Sequence, residues 1–588
     1  MISFIETVVR LCVWIGHRRV TTRSSDERSF VRKISNTGRD TVGQKFTGYT
    51  MITRAKLWWK MVCSGQQRGI FAGLAAHSSQ ISVGLGQGFS AILLPQLLEG
   101  ELVDQEQASW IAALGVISNP LGSLISGLCA EWFGRRSAIA LATFPYATGW
   151  LLIALSNRAV SMLYVGRFVN GIGIGMTNGI YLYVSETAAP NQRAWLGSCG
   201  PVLVSLGVLM IYTLGAFTSW RRAAAISIGP SILSLALSRI IPETPAWLVA
   251  RGRNEEAKES LLWLRGSSSS TDKEYEELCE ENVKREKERE SLLKALHMPS
   301  VWKPFLVLLV FFAFQQMSGI YIILFYTVNI LEDIGIELNE YSASVGIGVI
   351  RLFASIAGAG LANSFGRKTL AFLSGLGMTI SAVGVALAYR FKLPYVVSLA
   401  CIGGHVGFSM LGYLTLPWVM TSELYPLRFR GPLGGITTSI VQMLTFAIIK
   451  MYPSLHDMVG IESTIWIFAA ASILGAIFAL TILPETRGRS LDEIERGFSK
   501  KTSEPNSSTD VQPTIFVQPK NITLQRFASI TEEKHRNNNM TTNAYTYDNF
   551  CLDLTSDGDT EKKEVEKNSD TSRTNVANAI TLETRILD

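Results

Sequence analysis

The sequence predicts an all-α integral membrane protein, with twelve transmembrane helices in two pseudo-symmetric six-helix bundles. Three observations lead there. Charge is scarce and unevenly placed. Twelve apolar runs are long enough to cross a bilayer. Three dissimilar motifs recur in the same order about half a chain apart.

Only 17% of the 588 residues are charged and 47% are hydrophobic, with a mean hydropathy of +0.23. A soluble domain averages roughly 25% charged. Residues 1–70, 251–303 and 486–588 hold most of the polar and charged positions; the rest is apolar, Gly-rich and poor in acid. The net charge of +6 comes from Lys and Arg beside apolar runs, which suits a lipid surface and argues against nucleic acid. The seven cysteines are scattered and lack Cys-x-x-Cys spacing, so neither a disulfide framework nor a metal site is expected. The opening "MISFIETVVRLCVWIG" is interrupted by Glu6 and Arg10 and follows no basic stretch. It reads neither as a signal peptide nor as a span.

A helix needs about 20 apolar residues to cross the hydrocarbon. Residues 74–97, 109–129, 137–156, 160–181, 196–217 and 222–241 meet that need, as do 304–331, 342–362, 369–389, 395–420, 432–452 and 462–483. Apolarity on all sides favours lipid-embedded helices over helices of a soluble core. An even count places both termini on one side. Short loops there carry Arg135, Arg136, Arg193, Arg367, Lys368, Arg428 and Arg430; the opposite loops carry Arg158, Arg221, Arg222, Arg390 and Lys392. With the lysine-rich 251–303 loop added, the positive-inside rule makes both termini and that loop cytoplasmic. Residues 271–296 read as a charged amphipathic helix below the membrane. "KLWWK" at Lys56–Lys60 reads as an interfacial anchor, and 501–588 as a disordered tail whose sequons at Asn521 and Asn539 fall on the wrong side.

The recurrence organises the rest. "FGRR" and "FGRK" place Gly134 and Gly366 232 residues apart. "SETAAPNQR" and "SELYPLRFR" each set Glu and Arg seven apart, Glu186 with Arg193 and Glu423 with Arg430, at an offset of 237. "PETP" and "PETR" place Glu243 and Glu485 at an offset of 242. The chain therefore divides into a cytoplasmic tail (1–70), a six-helix half (71–250), a linker (251–303), a second half (304–485) and a tail (486–588). Parallel repeats of this kind build transporters whose halves rock about a midplane site. Arginine can hold a carboxylate bidentately. Arg135, Arg193, Arg367 and Arg430 facing Glu186, Glu243, Glu423 and Glu485 would form a cytoplasmic gate that latches the halves.

Over about 72–500 the chain resembles the sugar porter family of the major facilitator superfamily. The resemblance rests on "GRFVNGIGIG", "YVSET", "PETPAWL", "FQQMSGIYIILFYT", "LPWVMTSELYPLRFRG" and "PETRGRSLDEIE". "SWIAAL" and "FYTVNILEDIG" are most similar to the insect trehalose-transporter branch. The resemblance implies facilitated hexose or trehalose transport by alternating access, in the plasma membrane, without enzyme activity. Departures from the family pattern are Glu131-Trp132 and Asn363-Ser364 in the two Gly-Arg loops, Ala246 after "PETP", and Tyr321 for an Asn. Others are Val441-Gln442 for Asn-Trp, Pro201 for Gln and Leu414-Thr415 for Gly-Pro.

A sugar asks for amides that satisfy its hydroxyls and aromatic rings that pack on its C–H face. Gln315, Gln316, Tyr321, Tyr326, Trp418 and Gln442 are the candidate substrate-binding residues. Gln315, Gly319, Ile322 and Tyr326 would share one face of a continuous helix. Helix 1 lacks Asp and Glu, and the other spans carry acids only near their ends, so proton coupling through an intramembrane acid is not expected. No Walker loop, cofactor or metal site is expected, and the protein is expected to be a monomer or weak oligomer. A different solute such as a polyol, or a nutrient receptor signalling through the C-terminal tail, stays open as an alternative.

Overall fold

A computed structural model describes residues 65–499, except 158, 178, 267–268, 288–296, 336–339, 427–428, 488 and 490. The expectations for 1–64 and 500–588, including "KLWWK" and the sequons, lie outside the described residues. Every regular element among those described is helical. Ten helices are long and apolar enough to cross a membrane. The last of them, Arg430–Thr481, has 52 residues. At 1.5 Å per residue it would reach about 78 Å, far beyond a hydrocarbon core of about 30 Å. It breaks at Gly460 (φ 77°, ψ 167°), so it supplies two crossings. With the interrupted pair at 160–187, the ten account for the twelve expected.

The first six crossings are α1 (Gly65–His77) with α2 (Gln80–Glu99), α3 (Gln105–Ile117) with α4 (Asn119–Trp132), α5 (Arg135–Leu155), α6 (Val160–Met176) with α7 (Gly179–Thr187), α8 (Pro190–Phe217) and α9 (Trp220–Ile240). Three loop helices follow: α10 (Pro245–Ala250), α11 (Asn254–Arg265) and α12 (Ser269–Lys287). The expected 271–296 helix corresponds to α12; 288–296 lie outside the described residues. The remaining crossings are α13 (Pro299–Met317) with α14 (Ile320–Phe325) and α15 (Thr327–Asp333), α16 (Glu340–Ser364), α17 (Arg367–Arg390), α18 (Tyr395–Leu411) with α19 (Leu416–Leu424), and α20 (Arg430–Thr481). A short α21 (Leu491–Ser499) ends the described chain. The described part of the first crossing already reaches back to Gly65, earlier than its apolar run indicates.

Large apolar side chains remain exposed around the bundle, among them Leu124, Phe144, Leu155, Phe353 and Ile380. A belt of that size is untenable in water and suits lipid. Inside, small residues bring backbones together. A Cβ on Gly84 would lie 2.0 Å from Val204 O and one on Gly207 2.2 Å from Ile81 O, so α2 and α8 touch backbone to backbone.

Arg167 on α6 fastens the first half internally. Its side chain is buried and its donors are taken by neutral acceptors: Nε by Ile111 O at 3.1 Å, Nη1 by Gly86 O at 3.2 Å and Nη2 by Ser90 Oγ at 2.6 Å. It thereby ties α6 to α2 and α3. A hydrogen bond to a charged group contributes about 1.5–3 kcal/mol. Ser90→Ala is expected to lower stability in detergent by about that much. Arg167→Met should cost more, since it cuts all three ties; thermal unfolding of the purified variants checks the order.

Candidate functional site

The crossings that break in the middle are the first, second, fourth, seventh and tenth, counting α13–α15 as one. The seventh and tenth carry Gln315, Gln316, Tyr321, Tyr326 and Trp418, while Gln442 lies on α20. Gly319 adopts φ +79°, and a Cβ there would fall 2.3 Å from Phe468 Cδ2, so glycine is required both by conformation and by close approach. His405 Nε2 lies 3.1 Å from Ser318 O, occupying a carbonyl that the break frees. This break corrects the expected continuous face. Gln315 is turned to donate to Tyr413 O at 2.6 Å, while Tyr326 lies beyond the break, its hydroxyl donating to Ile449 O at 3.3 Å and its ring 4.9 Å from Tyr452. In the tenth crossing the helix parts at Gly412–Thr415, and Pro417 opens α19 rather than ending a helix.

Of the expected substrate-binding residues, Gln316, Tyr321 and Trp418 lie on α13, α14 and α19, in these two broken crossings. Gln316 is buried, donates weakly to Gln315 Oε1 at 3.5 Å, and leaves its own Oε1 without a partner. Tyr321 lies against Trp418 and within electrostatic range of Tyr181 on α7. Trp418 stacks edge-on to Phe312 at 4.9 Å. Tyr181, although flanked by His77 and Gly200, keeps 39% of its surface accessible. With the Asn119 amide turned so that its NH2 donates to Gly115 O and Gly171 O, its oxygen accepts from Gln442 Nε2 at 3.2 Å, joining α20 to α4.

At one end of the bundle the recurring motifs form two matching clusters. Arg135 Nε and Nη2 each approach Glu186 Oε1 at 3.2 Å, and Arg135 Nη1 donates to Ala130 O at 2.9 Å. In the second cluster Arg367 Nη2 donates to Glu423 Oε1 at 2.8 Å, Nε reaches Oε2 at 3.4 Å, and Nη1 meets Ala362 O at 2.6 Å. The PET glutamates cap the helices that start after the recurring glycine. Glu243 Oε1 accepts from Arg136 N at 2.9 Å; Glu485 accepts from Arg367 N at 2.9 Å and Lys368 N at 3.2 Å. A Cβ on Gly134 or Gly366 would sit 2.3 Å from the capping carboxylate. This explains why Gly precedes Arg in both motifs.

The expected latch is corrected by these distances. Arg135–Glu186 and Arg367–Glu423 close within their own half, because the two arginines begin helices packed beside the glutamate-bearing ones. Among the described residues Arg193 is exposed and pairs with no carboxylate, and Arg430 Nη2 donates to Tyr425 O at 3.4 Å. Hydrogen bonds between 71–250 and 304–485 lie elsewhere: Tyr212 OH to Leu324 O at 2.9 Å, Lys450 Nζ to Ser109 Oγ at 2.6 Å, and Gln442 to Asn119.

The sequence reading missed two buried bases, Arg167 and Arg351. Both stand as lone arginines inside apolar runs, "VGRFVNG" and "VIRLFAS".

A bundle of lipid-facing helices around an aromatic- and amide-lined centre defines a polytopic membrane carrier. The family profile "Sugar (and other) transporter" matches residues 66–498, and the chain belongs to that family, one of carriers rather than enzymes. It is 30% identical to the facilitated trehalose transporter Tret1 of Apis mellifera ligustica, over 76% of this chain and 91% of that one. It is also 30% identical to a Tret1-2 homolog of Drosophila simulans, over 73% and 90%. A solved structure of the proton:xylose symporter XylE bound to 6-bromo-6-deoxy-D-glucose shares the fold, with TM-score 0.65 at 22% identity over 74% of this chain and all of that one. The inward-open xylose transporter XylE from E. coli superposes with TM-score 0.61 at 21% identity, over 73% and 99%.

The two caps differ electrically. Burial pushes the Glu243 carboxyl above the ordinary glutamate range despite the N–H donors of Arg136 and Thr244. Burial opposes the Glu485 charge too, but the N–H groups of Arg487, Arg367 and Lys368 and the Arg367 charge outweigh it, and the carboxyl lies below the ordinary range. Glu485 thus stabilises the fold above the ordinary glutamate value and loses that contribution as pH falls through its folded value. Glu243 favours folding below the ordinary value, and that contribution is lost as pH rises through its folded value. At pH 7, Glu485→Gln should cost about 1 kcal/mol, the scale of a carboxylate at a helix N-terminus. Glu243→Gln should cost less, and acidification should narrow the gap; unfolding at several pH values reads it. Gly134→Ala should destabilise more than Gly366→Ala, because Gly134 also sits at φ +99°, a conformation costing about 1–3 kcal/mol for other residues.

Proposed function

We propose that this protein carries a sugar, trehalose or a hexose, down its own gradient by alternating access. The observation that carries the reading is the absence of a buried Asp or Glu among the described residues, beside a central cluster of amide and aromatic groups. A symporter needs an ionisable carrier inside the membrane, and acids are the usual choice. The printed names of the insect relatives, facilitated trehalose transporters, support the same solute class and mode.

The moving bodies are residues 71–250 and 304–485, joined by 251–303. Each keeps its own Arg–Glu clamp, so each can tilt as a unit while the bonds between them are exchanged. Gln316, Tyr321 and Trp418 line the site between them. The charged clusters mark the cytoplasmic side, with both termini there, in the plasma membrane, and the carrier works as a monomer or weak oligomer. The Lys/Arg bias of the loops supports that orientation.

Purified protein in proteoliposomes should give saturable flux of trehalose or glucose that is unchanged when a pH gradient is imposed or collapsed. Gln316→Ala and Trp418→Ala should each cut that flux by about tenfold, the scale of one or two lost hydrogen bonds or an aromatic contact, without loss of folded protein. Accumulation driven by a pH gradient, or no flux of any sugar, overturns the reading.

A further inference from the structure

Three arginines are buried within the described crossings, Arg68 near the start of α1, Arg167 and Arg351, and the two at mid-crossing, Arg167 and Arg351, are treated differently. Arg167 has neutral acceptors around its guanidinium. Arg351, near the middle of α16, is 4% exposed, and no hydrogen bond joins its guanidinium to any described residue; its Nε is buried without a partner. The groups within electrostatic range of it are two tyrosines, Tyr212 on α8 and Tyr321 on α14, and no carboxylate.

Arginine stays charged in proteins and presents five donors in a planar fork. A guanidinium held in the membrane without an acceptor is costly, and such residues face a bundle interior or a water-filled path rather than lipid. The surroundings agree. Gly348, three residues before Arg351, packs against Leu209 and Tyr212 of α8, so this part of α16 lies at the junction of the two halves. Tyr321, on its other side, is part of the cluster with Trp418 and the accessible Tyr181. Arg351 thus belongs to the edge of the central site. Gln316 on α13 likewise leaves its Oε1, an acceptor, without a donor. A ligand that satisfies both must offer an anionic oxygen pair to Arg351, hydroxyl donors to Gln316 and a C–H face to the rings.

We propose that Arg351 receives the carboxylate of a transported sugar acid, so that the carrier takes a hexuronate in preference to the neutral hexose. The proposal rests on the carrier reading above and narrows its substrate class. A neutral sugar leaves the guanidinium with weaker, uncharged acceptors. A carboxylate matches its fork bidentately with charge-assisted bonds.

Wild-type protein and Arg351→Gln are reconstituted in proteoliposomes and given labelled glucuronate, glucose, trehalose and inorganic phosphate. The expected result is saturable glucuronate uptake by wild type, accelerated by an inside-positive potential set with potassium and valinomycin, since the moving species is an anion. Arg351→Gln should lose about tenfold or more of the glucuronate flux, a larger factor than it loses for glucose or trehalose. If the Gln variant does not fold, Arg351→Lys, which keeps the charge but not the fork, should fall between, and glucuronate should raise the thermal stability of wild type more than glucose does. Wild-type flux of glucose or trehalose that glucuronate neither joins nor inhibits overturns the anionic proposal and leaves the carrier reading standing. Phosphate flux without glucuronate flux also overturns it. No flux of any of the four solutes overturns the carrier reading itself.

Discussion

Hydrocarbon offers no hydrogen bonds, so each polar group placed in this bundle must be satisfied by the chain itself or by a water-filled interior. Most of the architecture follows from that constraint. Long helices satisfy their own backbones and may face lipid. Helices that break must break inward, and a neighbour must take up the freed groups. Ser318 O meets His405, and Tyr212 reaches across to Leu324 O. Arg167 is tolerated because two carbonyls and a hydroxyl surround it.

The same constraint locates function. Breaks in the first, fourth, seventh and tenth crossings fall at corresponding places of the two six-helix repeats. They turn backbone and side-chain polarity inward, where the site proposed for Gln316, Tyr321, Trp418 and Arg351 would lie. At the water-exposed end, strong charges can be used freely, and they are spent on rigidity within each repeat. A carboxylate over a helix N-terminus, with the preceding glycine making room for it, fixes the start of α5 and of α17. An arginine from that first turn then clamps the neighbouring glutamate. If the repeats tilt as the carrier reading proposes, clamps kept within each repeat need not be rebuilt.

Much of this was legible in the residues. The recurring Phe-Gly-Arg, Ser-Glu and Pro-Glu-Thr motifs located both charged clusters, and residue type with the demands of a sugar singled out Gln316, Tyr321 and Trp418, the residues proposed above to line the site. Periodicity misled in the seventh crossing, because a 3.6-residue face assumes an unbroken helix and Gly319 breaks it. Pairing misled at the charged end, since equal spacing of Glu and Arg along the chain says nothing about which helices lie side by side. Arg351 escaped because a single base in an apolar run carries no sign of whether a partner awaits it.

The sequence by itself determined that the chain lives in a bilayer, that it is a repeat, and which residue types lie at its centre and at its charged end. Those follow from hydropathy, segment length and recurrence, which are local or one-dimensional properties. Tertiary structure alone decided which arginine meets which glutamate, which amide is spent on a backbone carbonyl and which is left open. It also decided that one buried arginine is satisfied and the other is not. Those depend on distances between helices remote in sequence, and only packing sets such distances.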